Sequence, residues 1–133
     1  MTTPSQQEID NIKNEIECRL KRNNSKQSDR EFYIGACYDA SEITLELLHQ
    51  YGYNKYKKGV CWINEVDHCV VYEDLKYDGD RPYYSGVIDM TAVQFHGEEG
   101  LEDYHQEFCK YKYGKIPDHH SQKHYKVKKE DLT

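Results

Sequence analysis

The sequence lacks any apolar run approaching the ~20 residues that a membrane-spanning helix needs. Its first residues, Met1-Thr2-Thr3-Pro4-Ser5-Gln6-Gln7-Glu8, hold neither a basic segment nor an apolar stretch, so no secretory leader is expected. A disulfide framework is missing too. Five cysteines are an odd number without regular spacing, at least one thiol stays free, and a reducing, cytoplasmic setting is the simpler expectation. Positive charge is in deficit, with 18 Lys and Arg against 24 Asp and Glu, a net charge of −6. That balance argues against a general nucleic-acid or anionic-membrane binder, since such proteins gain affinity from Lys and Arg meeting phosphates. Apolar residues are also few, at 37%, and mean hydropathy is −1.03. What is there instead is tyrosine. Thirteen tyrosines score as polar but bury large rings, so a folded chain with a modest core and a tyrosine-studded surface is expected.

A length of 133 residues favours a single domain over 1–133, and no repeat or low-complexity block divides it. Ser5-Gln6-Gln7-Glu8 has the form of a capping box, and Ile9, Ile12, Ile16 and Leu20 follow at helical spacing. A helix over about 5–22 is expected, then a polar loop from Asn23 to Arg30. Ala40, Thr44, Leu47 and Leu48 fall near one face of a second helix over about 37–51, widened by Ile43 and Leu45, with Gly52 suited to stop it. The period then changes to two. Gly59–Ile63 and Asp67–Tyr72 read as a hairpin, and Tyr84–Met90 as a third strand of an antiparallel meander with both faces covered. A short helical turn is expected at Thr91–Phe95 and a helix at Leu101–Phe108. Tyr111–His120 reads as a loop, His124–Val127 as a last strand, and the charged tail from Lys126 as frayed. The class is α+β: an N-terminal helix, a core over about 32–95 and an irregular part over about 96–133.

Three positions combine into chemistry. Cys37 follows the small pair Gly35-Ala36 at a helix start, His68 lies on a strand, and Asp89 lies on the following strand. Each alone has a structural explanation: a small buried hydrophobe, a satisfied strand side chain, a turn-former. Together they supply the parts of a nucleophilic centre. The thiolate is the attacking species, and a helix N-terminus favours it. Imidazole takes the thiol proton and later delivers one to the leaving group. A carboxylate fixes the imidazole tautomer and stabilises the imidazolium. The N–H of Cys37 faces a developing oxyanion, and small neighbours allow close approach. No upstream Gln or Asn stands out as a second oxyanion donor; Asn23, Asn24 and Gln27 qualify by composition only.

Gly35-Ala36-Cys37-Tyr38-Asp39-Ala40-Ser41, Asp67-His68-Cys69-Val70-Val71 and Val87-Ile88-Asp89-Met90-Thr91-Ala92-Val93-Gln94-Phe95 together resemble the transglutaminase-like branch of the papain-like fold. The order Cys, His, Asp and the "Ile-Asp-x-Thr" setting match, with spacings of 31 and 21 residues. Tyr38 stands where Trp is common in the wider group. The resemblance covers Phe32 to Phe95. It implies a papain-like core, with a central helix carrying Cys37 packed on a small antiparallel sheet. It also implies a Cys37-His68-Asp89 triad acting on an amide of a protein substrate, with no metal or cofactor. Protease and glutamine deamidase are the leading activities and transglutaminase follows. Small stand-alone members of the group include effector or toxin-like enzymes.

Other readings compete. His119, His120 and His124 lie near Cys109, but no Cys-x-x-Cys accompanies them, and a polar, partly exposed tail explains them more simply than zinc. Tyr83-Tyr84 and Tyr111-Lys112-Tyr113 would suit a protein-binding or inhibitor module on a degenerate papain-like fold. Tyr53-Asn54-Lys55-Tyr56-Lys57-Lys58 is similar to a small base-stacking patch. Trp62, the only tryptophan, reads first as core and second as a cleft wall touching substrate beside Tyr38. Cys18, Cys61, Cys69 and Cys109 read as structural, and Cys61 and Cys69, on neighbouring strands, are close enough in sequence to pair in an oxidising compartment.

Overall fold

A computed structural model describes residues 3–20, 32–63, 66–95, 111 and 113–128. The architecture is α+β. Helices α1 (Gln6–Arg19) and α2 (Cys37–Gln50) precede strands β1 (Lys57–Ile63), β2 (Val66–Tyr72), β3 (Asp74–Asp78), β4 (Arg81–Ser85) and β5 (Ile88–Asp89). A 3-10 turn at Ala92–Phe95, strand β6 (Gly114–Lys115) and helix α3 (Asp118–His124) follow. One antiparallel sheet runs in the order β1-β2-β5-β6, and β3 and β4 form a separate hairpin.

The two long helices form where the sequence places them. Ser5 Oγ accepts the Glu8 N–H at 3.2 Å, and Glu8 Oε1 accepts the Ser5 N–H at 2.9 Å, closing the capping box. Ile9, Ile12 and Ile16 form the buried stripe of α1, while Ala40, Ile43, Thr44, Leu47 and Leu48 bury that of α2. The Tyr53 hydroxyl donates to Glu8 Oε1 at 2.7 Å, and Arg19 pairs with Glu46, so both ends of α1 are tied to the C-terminal part of α2 and the turn after it. Their shared core takes in Val71 and Ile88 from the sheet. A second core holds Cys61, Ile63, Val70, Tyr84, Val87, Ala92, Ile116, Tyr125 and Val127. The strands alternate between the two cores, which is why both sets of alternating side chains are apolar.

The expected single strand over Tyr84–Met90 is corrected to two. Gly86, at φ 65°, turns the chain, so that β4 pairs with β3 and β5 crosses to β2 through Val71 and Ile88. β3 escaped notice because all five of its residues are exposed and give no apolar alternation. The C-terminal expectations also change. Tyr111–His120 contains β6 and the start of α3 rather than a plain loop, and α3 continues to His124. Lys126 and Val127 then bridge Tyr83 and Cys61, and the Val127 N–H donates to the Pro82 carbonyl at 3.1 Å. The tail is therefore anchored at least to Lys128. The loop expected at Asn23–Arg30, the helix expected at Leu101–Phe108 and Cys109 lie outside the described residues.

Burial settles several surface readings. Tyr53 and Tyr56 are buried in the helix-side core, so their rings offer no stacking patch. Tyr83 and Tyr84 are buried as well. His120 and His124 are not tail residues: both are buried on α3, their ring centroids 4.7 Å apart. Among the described residues no group of His, Cys, Asp and Glu is arranged to hold a metal ion. No helix described is long and apolar enough to cross a membrane.

Candidate active site

Each of the three sequence candidates is set by a different element. Cys37 is the first residue of α2, after the exposed turn at Gly35, whose φ of 77° suits glycine. Ala36 occupies the N-cap without a side-chain hydrogen bond, so the first-turn amides of α2 have no side-chain cap of the kind Ser5 gives α1. The helix is docked against β2 by Ser41, one turn on from Cys37, whose hydroxyl donates to the Cys69 carbonyl at 3.0 Å. That contact brings Cys37 beside the next strand residue, His68, and both the His68 ring and the Cys69 backbone act to lower its thiol.

His68 and Asp89 converge through strand register. Val71 pairs with Ile88, so Asp89 falls opposite Val70, and His68, two residues before Val70 on the same face, is its diagonal neighbour. His68 Nε2 and Asp89 Oδ2 lie 2.7 Å apart, and both side chains are 1% exposed. This contact takes up Nε2 and leaves Nδ1 as the other ring nitrogen. Asp89 is held from several sides. The Thr91 N–H and hydroxyl donate to its Oδ1 at 3.0 and 3.3 Å, and the Tyr125 hydroxyl donates to its Oδ2 at 2.7 Å. The Gln94 amide nitrogen sits 3.2 Å from His68 Nδ1 and 3.0 Å from Thr91 Oγ1.

The electrostatics follow from these contacts. Burial pulls the His68 imidazole toward neutrality, but the charge and hydrogen bond of Asp89, aided by Cys37, outweigh it and push His68 up to about 9. Burial raises the Asp89 carboxyl, yet His68, Tyr125 and the Thr91 N–H together hold it below its ordinary value. For Cys37 burial again opposes ionisation. The hydrogen bond to His68, the Cys69 N–H and the charge of His68 overcome it, so the thiol is lowered. Cys61 moves the other way: full burial beside Asp89 raises it well above an ordinary thiol. The three shifts share one direction, toward a thiolate at Cys37, a charged imidazole at His68 and an ionised Asp89.

The remaining candidates fall around and away from this centre. Tyr38 is exposed beside Cys37, its ring under the Lys58 ammonium at 4.8 Å, and Lys58 in turn pairs with Glu42. Trp62 is 52% exposed, which corrects its reading as a core residue; Lys128 lies 5.7 Å from its ring centroid. Trp62 pairs across the hairpin with Asp67, next to His68. Cys61 pairs with His68 and Cys69 with Val60, so Cys61 and Cys69 occupy opposite faces and cannot form a disulfide. Thr91, Gln94 and Tyr125 went unassigned in the sequence. Only Thr91 carried a signal, because Asp-x-Thr spacing lets an Asp side chain accept an N–H two residues on. No protein-family model matches this chain, and neither a curated protein nor a solved structure matches it.

Proposed function

We propose that this chain is a thiol-dependent acyl-transfer enzyme acting on an amide of a protein substrate, with Cys37 as nucleophile, on a papain-like core of the transglutaminase-like kind. The observation that carries the reading is the buried His68–Asp89 pair at 2.7 Å, beside a Cys37 thiol that His68 lowers. Cys37 thiolate attacks the amide carbonyl carbon, and the first-turn N–H groups of α2 face the oxygen as it gains charge. The His68 imidazolium gives its proton to the departing nitrogen, which leaves as ammonia or amine, and a thioester remains on Cys37. Neutral His68 then takes a proton from water, which attacks the thioester and releases the acid. Asp89 stays ionised throughout and steadies the imidazolium. Protease and glutamine deamidase share this sequence and differ in which amide enters; an incoming lysine amine in place of water gives cross-linking.

The test is intact-mass analysis of candidate protein substrates treated with the wild-type chain and with Cys37→Ala. Cleavage divides the substrate, deamidation adds about one dalton, and cross-linking joins chains. All three products should vanish with Cys37→Ala. The second reading, a binding module, draws on Ile34, Tyr38 and Trp62, each more than half exposed near the Cys37 end of α2 or the strand carrying Trp62. Under it, Cys37→Ala would bind its partner as wild type does and no substrate mass would change.

A further inference from the structure

The C-terminal segment reaches the centre through one hydroxyl. Tyr125 caps α3, its N–H bonded to the Ser121 carbonyl at 2.8 Å, and its own carbonyl accepts the Tyr84 N–H at 3.0 Å. Just beyond it, Lys126 bridges Tyr83 and Val127 bridges Cys61, so this stretch stitches the β3–β4 hairpin to the edge of the main sheet. Clamped on both sides, the chain drives the Tyr125 ring inward to 0% exposure, its centroid 6.3 Å from that of His68. Packing alone would be served by a phenylalanine, since burying a hydroxyl costs free energy unless it is bonded. Here the hydroxyl is bonded, to the same Asp89 oxygen that holds His68 Nε2.

We propose that Tyr125 is a positioning residue of the Cys37–His68–Asp89 centre, setting the orientation and basicity of His68 by sharing Asp89 Oδ2 with it. The inference rests on the reading of that centre given above. An O–H donor draws charge from the oxygen it meets. Without it, Oδ2 becomes a stronger acceptor for the imidazolium, which holds its proton to higher pH and is a poorer acid toward a leaving nitrogen. Thr91 keeps Oδ1 in place, so the carboxylate does not swing when the hydroxyl is removed. The titratable groups around His68 and Tyr125 are Cys37 from α2, Cys61 from β1, Cys69 from β2, Asp89 from β5, His120 from α3, and Tyr111.

The experiment follows the His68 titration by imidazole NMR in the full chain. Tyr125→Phe should move it upward by about one pH unit, the scale of a hydrogen bond to a charged group. In an Asp89→Asn background the same exchange should leave it unmoved. A fluorotyrosine placed at position 125 keeps the ring and strengthens the donation, so it should move the titration downward and serves if Tyr125→Phe does not fold. A titration unmoved by Tyr125→Phe while the melting temperature falls, or moved equally with Asn at position 89, overturns the proposal and leaves Tyr125 a packing residue. Failure of the nucleophile reading shows elsewhere: wild-type Cys37 would alkylate no faster than Cys18, whatever His68 does.

Discussion

At the scale of the residue, the His68–Asp89 pair ties stability to pH. Burial disfavours the charged imidazole, but Asp89 overrides it, so His68 titrates at about 9 in the fold against 6.5 when unperturbed. A raised value means stability that is complete below pH 6.5 and is lost as pH climbs through about 9. Asp89 is shifted down from 3.8, so its share is present above that value and is lost as pH falls through the lower folded one. Melting temperature should therefore be highest between these limits and decline on the alkaline side, and thermal scans across pH check it. In Asp89→Asn the alkaline decline should flatten, because the raised proton affinity of His68 depends on the carboxylate. The same substitution should leave the fold intact and cut the proposed acyl transfer by roughly 10³–10⁴-fold, as expected when an imidazole loses the group that fixes its tautomer. Unchanged turnover would remove Asp89 from the mechanism. Cys37, His68 and Asp89 were legible because each is a reactive residue type beside a recognisable boundary: a helix start after glycine, or a strand with period two. Gln94 and Tyr125 were not, since their meaning comes only from the residues they meet, 26 and 36 positions away.

At the scale of the element, legibility followed periodicity. The isoleucine stripe of α1 and the leucine-rich face of α2 repeat over several turns, so their helices could be read to within a few residues. β5 has two residues and β3 has no buried face, so neither leaves a period to detect. Two substitutions probe these elements. Leu48 is fully buried on α2, and Leu48→Ala should cost about 2–5 kcal/mol, read as a fall in the urea midpoint. Gly59 on β1 lies under a tyrosine: a β-carbon there would run into Cζ and the hydroxyl of Tyr84. That ring is buried, its hydroxyl donates to the Val60 carbonyl at 3.1 Å, and it packs on Tyr72 with centroids 4.2 Å apart, so it has little room to yield. Gly59→Ala should cost about 1–3 kcal/mol, measured in the same way, although glycine in a strand is ordinarily the weaker residue. A neutral result would mean that the Tyr84 ring shifts freely.

At the scale of the molecule, the sheet acts as the mount for the centre. The helices cover one face and deliver the thiol, while the second core and the C-terminal segment cover the other and hold the carboxylate. This division explains why the C-terminal part read as irregular. His120, His124 and Tyr125 look polar by residue type, yet all three are buried where the segment bridges to β4 and β1. It also explains the misplacement of Trp62: strand alternation gives the face of a residue but not whether a helix extends far enough to cover it. Reactivity of the thiols tests the central claim most directly. Cys18 is exposed on α1, whereas Cys37 is partly covered at the start of α2. Limiting iodoacetamide at pH 6.5–7, followed by peptide mapping, ranks the two in the native chain. A thiolate held by His68 requires Cys37 to label first and to lose that lead in His68→Ala. Labelling that follows exposure, with Cys18 ahead of Cys37 and no response to His68→Ala, would contradict the account.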